Sequence, residues 1–316
     1  MTDQIVVFGH GAVGRAVTLA LLARGDGVRV AQRTRPEDLP SGVEFVTCDL
    51  LDAAAVRRAM IGAGQAVLAV GFAYDAAVWR RAWPATIGNV IAACAEVDAR
   101  VVFLDNLYQL GRQTGPRHEE MTLTSKGAKP SILAAVTRTW MKARDRVRFT
   151  ALRAPDFYGP GVPVSYLGAT GLAALAAGKS ALVVGSADTP HDFAYVPDIA
   201  RAILDLLDAP DDAYGQVWNM PCAPTQTLRQ LLNLGAVALD VKPRIMAVPL
   251  WLLRPLGLFV PFLREVADVA FTWDSPYAID GRKFSKRFDF KVTPYEVGVP
   301  ATALWFRADG GEGGRR

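Results

Sequence analysis

The residues with the clearest chemical meaning are three glycines near the start of the chain. Gly9, Gly11 and Gly14 form the pattern G-x-G-x-x-G between a short apolar run and a segment with apolar residues at helical spacing. In such a loop the first glycine permits a tight turn, the second lets a dinucleotide pyrophosphate approach the backbone, and the third lets the helix pack on the sheet. The N–H groups at the start of that helix favour the phosphates. A glycine turn without a ligand is the alternative.

The end of the second predicted strand indicates which dinucleotide this loop would bind. Sites for NAD usually carry Asp or Glu about 20 residues after the first glycine, where the acid holds the ribose 2′-hydroxyl. Here no acid follows the strand, and Arg33 and Arg35 stand at that place. A guanidinium matches a 2′-phosphate in charge and geometry. The sequence therefore predicts NADP(H), with NAD(H) as the less favoured cofactor and solvated loop arginines as the alternative without a ligand.

Alternating strand and helix patterns supply the framework for this loop. Short runs rich in Val, Phe and Leu are typical of strands buried on both faces, and helical spacing of apolar residues lies between them. This alternation predicts an α/β fold, a Rossmann doubly wound parallel sheet. The predicted strands are residues 4–8, 27–31, 43–47, 66–70, 101–104 and 149–153, and the predicted helices are 13–23, 53–60, 79–96 and 131–143.

The pattern changes after residue 158, where Gly and Pro become frequent. We predict an NADP-binding Rossmann domain from residues 1–158 and 181–222. A smaller C-terminal substrate-binding lobe is predicted from 159–180 and 223–306, followed by a disordered tail at 307–316. The apolar stretch 245–263 contains an arginine and three prolines, so we expect a buried or substrate-covering segment there and no membrane-spanning helix.

Composition and charge argue against several classes of protein. Hydrophobic residues make up 51% and charged residues 21%, which suits a globular core. The 35 Lys and Arg against 31 Asp and Glu are scattered, so no nucleic-acid partner is expected. Three cysteines without CxxC spacing indicate a reducing compartment, and three separated histidines predict no metal site. With no export signal visible, we expect a cytoplasmic protein with no membrane partner.

Several segments resemble the extended short-chain dehydrogenase/reductases, the NAD-dependent epimerase/dehydratase group. They include the glycine loop, Cys48-Asp49-Leu50, the run 152–160 and the run 191–200. The resemblance covers about residues 4–300 and implies an active site in the cleft between two lobes, and a homodimer. From the residues and the resemblance together, the predicted cofactor contacts are Gly9, His10, Gly11, Val13, Gly14, Arg33, Arg35, Asp49, Leu50, Val70, Gly71, Phe72, Leu104, Pro155 and Phe157.

The catalytic residues usual in that family are incomplete. Its members place Ser or Thr after the fifth strand and then Tyr-x-x-x-Lys, in which Tyr exchanges a proton with the substrate and Lys lowers the pKa of Tyr. Here Asn106 takes the Ser position, and Lys129 is the nearest match to the lysine, with Ser125 at the Tyr position. A Ser hydroxyl is a poorer proton donor than a phenol. Pro130 is expected to keep Lys129 out of α conformation, at the entrance of a helix.

A rebuilt catalytic centre is therefore considered. Tyr108 is the first candidate for a replacement phenol, with a tyrosine packed under the loop as the alternative. Asp105 would serve as an acid or base if burial raised its pKa, but an exposed loop acid is the simpler interpretation. The predicted catalytic residues are Tyr108, Asn106, Asp105 and Lys129.

The residues expected to bind the substrate also differ from those usual in the family. Members that act on nucleotide-sugars commonly carry Arg where this chain has His191, and a neutral imidazole loses most of the bidentate recognition of a diphosphate. Aromatic residues of the lobe, including Trp251 and Phe259, suggest a mostly apolar pocket. The predicted substrate-binding residues are Tyr74, Tyr158, His191 and Trp273.

Together these features predict an NADP(H)-dependent oxidoreductase or epimerase. Its substrate would be a small carbonyl or alcohol compound that is not a nucleotide-sugar. The alternative is a catalytically inactive NADP(H)-binding regulator, which the missing Tyr-x-x-x-Lys favours.

Overall fold

A seven-stranded parallel sheet is the centre of the fold. Its strands lie in the order β3 (Glu44–Thr47), β2 (Val28–Gln32), β1 (Gln4–Phe8), β4 (Ala63–Leu68), β5 (Arg100–Asp105), β6 (Phe149–Arg153) and β11 (Val217–Asn219). The strand order reverses between β1 and β4, which is the doubly wound order of a Rossmann fold. The structure, a computed structural model, describes residues 4–312. Its other strands are β7 (Asp156–Tyr158), β8 (Ala181–Val184), β9 (Pro190–His191), β10 (Phe193–Tyr195), β12 (Gln226–Thr227) and β13 (Ile245–Val248).

Helices cross over between the strands, as the alternation predicts. Trp140 stacks on Phe149 at 5.2 Å, so the helix and strand that carry them share one apolar core. The predicted fold class is confirmed. The helices are α1 (Ala12–Arg24), α2 (Ala53–Met60), α3 (Ala76–Glu96), α4 (Ala128–Lys142), α5 (Ala173–Ala176), α6 (Val196–Asp208), α7 (Leu228–Ala238), α8 (Leu253–Leu256), α9 (Pro261–Ala267), α10 (Arg282–Phe288) and α11 (Tyr295–Glu312).

Two helices begin three residues earlier than predicted, each for a local reason. The carboxylate of Asp75 accepts the N–H groups of Ala77 and Val78 and so caps α3 ahead of its apolar stripe. The helix α4 begins at Ala128, since Pro130 lies in its first turn, where a proline N–H is not needed.

The chain divides into two compact units. The first runs to Gly111 and also contains Thr122–Arg153 and Ile199–Trp218. The second contains Arg112–Met121, Ala154–Asp198 and the chain from Asn219 onward. This division differs from the predicted boundaries at residues 112–121, 154–158, 181–198 and 219–222. The longest of these, 181–198, belongs to the second unit because β9 and β10 pair with β12 and β7 and take no part in the central sheet.

Two predictions about the carboxyl-terminal part need correction. The helix α11 continues to Glu312, so a disordered tail over residues 307–312 is wrong, while residues 313–316 lie outside the described residues. The segment 245–263 is not buried as a whole, because Trp251 and Phe259 are largely exposed. The other alternative, a substrate-covering segment, stays a prediction. Among the described residues, no helix is long and apolar enough to cross a membrane.

Candidate functional site

Two of the three motif glycines hold the loop after β1 in shape. Gly9 has a φ of +92°, and a Cβ there would lie 2.6 Å from the carbonyl oxygen of Ala69. A Cβ on Gly14 would lie 2.1 Å from the carbonyl oxygen of Gly9, so only glycine permits this approach of helix and loop. Gly11 differs, because a Cβ there would have no atom within 4 Å. The backbone at Gly11 is open to a ligand, as the motif requires.

A cavity of about 570 Å³ lies beside the loop. Residues that follow β1, β2, β3 and β4 line it, which is where a doubly wound sheet binds its ligand. The predicted cofactor contacts that line it are Gly9, His10, Gly11, Arg33, Asp49, Leu50, Val70, Gly71 and Phe72.

Other predicted contacts have different places in the described structure. Val13 is buried in α1, and Arg35 lies over the ring of Phe45 with its guanidinium carbon 5.5 Å from the ring centroid. Neither side chain lines the cavity, and their predicted contact with the cofactor stays a prediction. Among the described residues, those predicted in the first unit that do not line the cavity are Val13, Gly14, Arg35 and Leu104, and Pro155 and Phe157 belong to the second unit.

His10 brings an unpaired imidazole to this cavity. Its ring is buried, and both Nδ1 and Nε2 lack a hydrogen-bond partner among the described residues. The carboxylate of Asp38 lies 3.8 Å from Nε2, yet burial outweighs this charge and lowers the pKa of His10. A neutral imidazole is both a hydrogen-bond donor and an acceptor. The ring is therefore ready to pair with a polar group of a bound molecule.

The end of β2 carries no carboxylate. Gln32 occupies it, and its side chain accepts the N–H of His10 at 2.9 Å and donates to the carbonyl of Thr34 at 2.7 Å. These two bonds tie the glycine loop to the strand end. Arg33 follows and lines the cavity with an exposed side chain. Arg81 of α3 also lines it, a second cation that the strand and loop patterns gave no reason to select.

Asp105 is buried at the end of β5, where the sequence had favoured an exposed loop acid. Its Oδ2 lies 3.5 Å from Nε of Arg153, the residue paired with it on β6, and accepts a hydrogen bond from Gln109 at 2.6 Å. Burial raises the pKa of Asp105 from 3.8 to about 6, although Arg153 opposes the shift. The carboxyl is thus the partner of a buried cation, and the expectation of an exposed acid is wrong.

Asn106 and Tyr108 belong to one short turn. The side-chain oxygen of Asn106 accepts the N–H of Tyr108 at 2.9 Å, an Asx turn that leads into a single 3₁₀ turn over Tyr108–Leu110. Tyr108 is half-buried against the core of the first unit. At the position of the family serine, Asn106 therefore shapes the loop through its side chain.

Lys129 is fully buried, with its ammonium against aromatic rings. Its Nζ lies 4.4 Å from the ring centroid of Tyr74 and 5.9 Å from that of Trp79. Tyr74 in turn meets Trp79 edge to face at 5.6 Å. Lys129 lies at the entrance of α4, as expected, but it is helical there, so its expected exclusion from α conformation is wrong. The structure brings the candidate lysine to a tyrosine that follows β4.

The second unit contains a separate polar cluster around a carboxylate. His191 Nε2 lies 3.0 Å from Oδ2 of Asp156, and the indole N–H of Trp273 donates to the same oxygen at 3.3 Å. The ring of His191 stacks on Tyr277 at 4.9 Å, and the guanidinium of Arg117 lies 3.8 Å from the centroid of Tyr277. Two predicted substrate residues, His191 and Trp273, are therefore brought together by an acid that the sequence did not single out.

Tyr158 is not available to a substrate. It is 1% exposed within the core of the second unit, between Tyr195 and Tyr295. Burial raises the pKa of its phenol far above the usual range, and a Cβ on Gly298 would lie 2.5 Å from its oxygen. The prediction that Tyr158 binds substrate is wrong, because the ring fills a core position. Among the described residues, no group of three His, Cys, Asp or Glu side chains is placed to hold a metal ion.

Comparison with known proteins identifies the family of this chain and solved structures with a similar fold. The profile of the NAD dependent epimerase/dehydratase family matches residues 5–220. Among solved structures, dTDP-glucose 4,6-dehydratase DesIV from Streptomyces venezuelae, with NAD and DAU bound, has a TM-score of 0.80 at 18% identity and covers 98% of each chain. The UDP-glucose 4-epimerase of Thermus thermophilus, in complex with NAD, has a TM-score of 0.76 at 20% identity, over 96% of this chain and 99% of that one.

Among the curated relatives, similarity is confined to a short segment. The uncharacterized protein Rv2047c of Mycobacterium tuberculosis is 43% identical over 61 residues, which are 19% of this chain and 7% of that protein. The solved structures, at 18% and 20% identity, establish the fold, and the profile match over more than half of the chain establishes the family.

Proposed function

Because the chain belongs to the NAD dependent epimerase/dehydratase family, we propose that it is an NADP(H)-dependent oxidoreductase or epimerase. Its proposed substrate is a small carbonyl or alcohol compound other than a nucleotide-sugar. The observation that carries the proposal is the cavity after β1 to β4, which combines an open glycine with an arginine and an unpaired histidine.

The residues of the cavity fit the parts of a dinucleotide. Gly11, at which a Cβ would meet no atom, leaves room for the pyrophosphate next to the first N–H groups of α1. Arg33 and His10 supply a cation and a hydrogen-bonding ring for a 2′-phosphate, and Arg81 adds a second cation. When bound, the nicotinamide of NADP(H) donates or accepts the hydride.

The absence of an acid at the end of β2 supports the choice of NADP(H) over NAD(H). Gln32 stands where a carboxylate would hold the ribose 2′-hydroxyl, and both ends of its amide are engaged by protein backbone. A 2′-phosphate near this strand end would meet Arg33 and no carboxylate from β2. The carboxylate of Asp38, 3.8 Å from His10, is ion-paired with Arg15 at 2.6 Å. Asp49, which also lines the cavity, follows β3 and accepts the N–H of Leu51.

For the proton transfer we propose Tyr74 with Lys129, with Tyr108 as the second candidate phenol. A cation close to a phenol favours the phenolate and so eases loss of the proton. Lys129 holds its ammonium 4.4 Å from the ring centroid of Tyr74, so the candidate lysine and this tyrosine are in contact. Asn106 and Asp105 support the site indirectly, through the turn before Tyr108 and the ion pair with Arg153.

The cluster around Asp156 supports a substrate without a diphosphate. Its carboxylate is partly exposed and is held by His191 and Trp273. A diphosphate beside it would meet a negative charge, and His191 lacks the bidentate fork of an arginine. A hydroxyl or amino group, by contrast, would donate a hydrogen bond to this carboxylate.

The experiment that tests the proposal is incubation of the protein with NADPH and a panel of aldehydes, ketones and imines. Loss of reduced-nicotinamide absorbance is followed for the wild type and for Tyr74→Phe. We expect turnover of at least one compound by the wild type and a loss of about 10²-fold or more in the variant, the usual effect of removing an acid–base group. Tight NADPH binding without turnover across the panel would instead support a regulator that senses NADP(H).

A further inference from the structure

An exposed apolar tip connects two short helices of the second unit. Leu258, Phe259 and Val260 lie between α8 and α9, and the first two side chains are 82% and 84% exposed. Trp251, just before α8, is 71% exposed, and Phe262, at the start of α9, is 60% exposed. These five residues are called the apolar tip. A run of large exposed apolar side chains marks an interaction surface, because a protein surface normally carries them singly.

The tip is supported by close packing behind it. A Cβ on Gly257 would lie 2.9 Å from both the N atom of Arg264 and the carbonyl oxygen of Leu253, so α8 and α9 approach each other closely at this glycine. Leu253 and Val266 are buried behind the exposed residues. The exposed side chains are therefore presented by a packed helical hairpin.

The charged residues between Val241 and Arg264 are all basic, with Asp240 directly before this segment and Glu265 directly after it. The sequence from Val241 to Arg264 contains Lys242, Arg244, Arg254 and Arg264 and no Asp or Glu. The side chains of Lys242, Arg244 and Arg264 are exposed. Large apolar side chains flanked by cations complement a bilayer surface that carries anionic headgroups.

We propose that the apolar tip docks this protein peripherally on a lipid bilayer that contains anionic lipids. The side chains of Phe259, Leu258 and Trp251 enter the boundary between headgroups and acyl chains, and the flanking cations lie at the headgroups. This mode requires no spanning helix. The proposal differs from the expectation of no membrane partner, which stays a prediction.

Two other occupants fit the same surface less well. A two-fold contact between copies of this chain would bring the same cations of both copies together, which is unfavourable. A small substrate is too small to cover the tip, since aromatic side chains of about 150–250 Å² each leave roughly 450 Å² exposed on Trp251, Phe259 and Phe262 alone.

Co-sedimentation with vesicles tests the proposal. The probes are vesicles of phosphatidylcholine alone and of phosphatidylcholine with phosphatidylserine at about three to one. We expect binding to the mixed vesicles that is at least tenfold stronger than to the neutral ones, because each cation near an anionic surface contributes about 1 kcal/mol, or roughly fivefold. Raising the salt concentration should weaken this binding.

Variants separate the tip from the rest of the surface. The double variant Leu258→Ser/Phe259→Ser should bind the mixed vesicles at least tenfold more weakly, since burial of one apolar side chain contributes about 1.5 kcal/mol or more, which is roughly tenfold in affinity. The control Val237→Ser, at an exposed apolar residue of α7 in the same unit, should bind like the wild type. Thermal unfolding of each variant checks that the fold is intact.

Three results would overturn the proposal. One is the absence of wild-type binding to either vesicle at millimolar lipid. Another is a dimer of the wild type in size-exclusion chromatography that the double variant loses, with no vesicle binding by either protein. The third is equal binding by the wild type and the double variant. The vesicle assay requires no turnover, so its failure would leave the proposed enzymatic function untouched.

Discussion

The substitutions Gly11→Ala and Gly14→Ala should separate the two functions of the glycine loop. A Cβ at residue 14 would lie 2.1 Å from the carbonyl oxygen of Gly9, so helix and loop must move apart. Such overpacking typically costs about 1–3 kcal/mol of stability. A Cβ at residue 11 would meet no atom within 4 Å, and its φ of −74° suits any residue. Gly11→Ala should therefore change the free energy of unfolding by less than about 0.5 kcal/mol.

Binding of NADPH should respond in a different way. If the pyrophosphate lies against residue 11, its new methyl group overlaps the ligand and Kd should rise at least tenfold, about 1.4 kcal/mol. Gly14→Ala should weaken both stability and binding. The assays are urea unfolding without ligand and NADPH titration by nicotinamide fluorescence. Wild-type NADPH affinity in a stable Gly11→Ala variant would refute the reasoning, because it would place the pyrophosphate elsewhere.

Three further predictions concern the buried and titratable groups. Burial raises the pKa of Asp105 to about 6, so the native state keeps a proton that the unfolded chain releases. The contribution of Asp105 to the free energy of unfolding should fall by roughly 3 kcal/mol between about pH 4 and pH 6. In urea unfolding, the variant Asp105→Asn should lack this decrease. An equal dependence of the unfolding free energy on pH in the variant and the wild type would contradict the prediction. In steady-state kinetics, Tyr74→Phe should lower kcat about 10²-fold or more and leave the NADPH affinity unchanged, whereas Tyr108→Phe should lower kcat less than tenfold. The larger loss in Tyr108→Phe would identify Tyr108 as the proton donor instead. Since a 2′-phosphate should raise the pKa of His10, which burial lowers, NADPH should bind more tightly at about pH 6 than at about pH 8. His10→Ala should reduce this pH dependence in fluorescence titrations, and an equal pH dependence would exclude His10 from the phosphate site.

The central sheet could be predicted because its signals are local. Short apolar runs and the glycine loop each lie within a few residues of the element that they specify. Residues 4–8 and 149–153 are strands with the predicted bounds, and residues 53–60 are a helix with the predicted bounds. Fold class and the cavity after β1 to β4 follow from this regular alternation.

The details of the site depend on contacts between distant parts of the chain, which no local pattern reveals. The local sequence predicts that Asp105 is an exposed loop acid, but the pairing of β5 with β6 places it beside Arg153, 48 positions later in the chain. The contact of Lys129 with Tyr74 joins α4 to the loop after β4, and Asp156 meets Trp273 across 117 positions. Spacing rules place a residue on an element, but they do not say which element packs opposite.

The central claim, an NADP(H) site beside the glycine loop, is tested most directly by the ratio of the dissociation constants for NADH and NADPH. These are measured by fluorescence titration for the wild type and for Arg33→Ala. We expect the wild type to bind NADPH at least tenfold more tightly than NADH. The variant Arg33→Ala should lose most of this preference and keep its NADH affinity, because the guanidinium contacts only the 2′-phosphate. Tighter binding of NADH by the wild type, or a preference that survives in Arg33→Ala, would contradict the central claim.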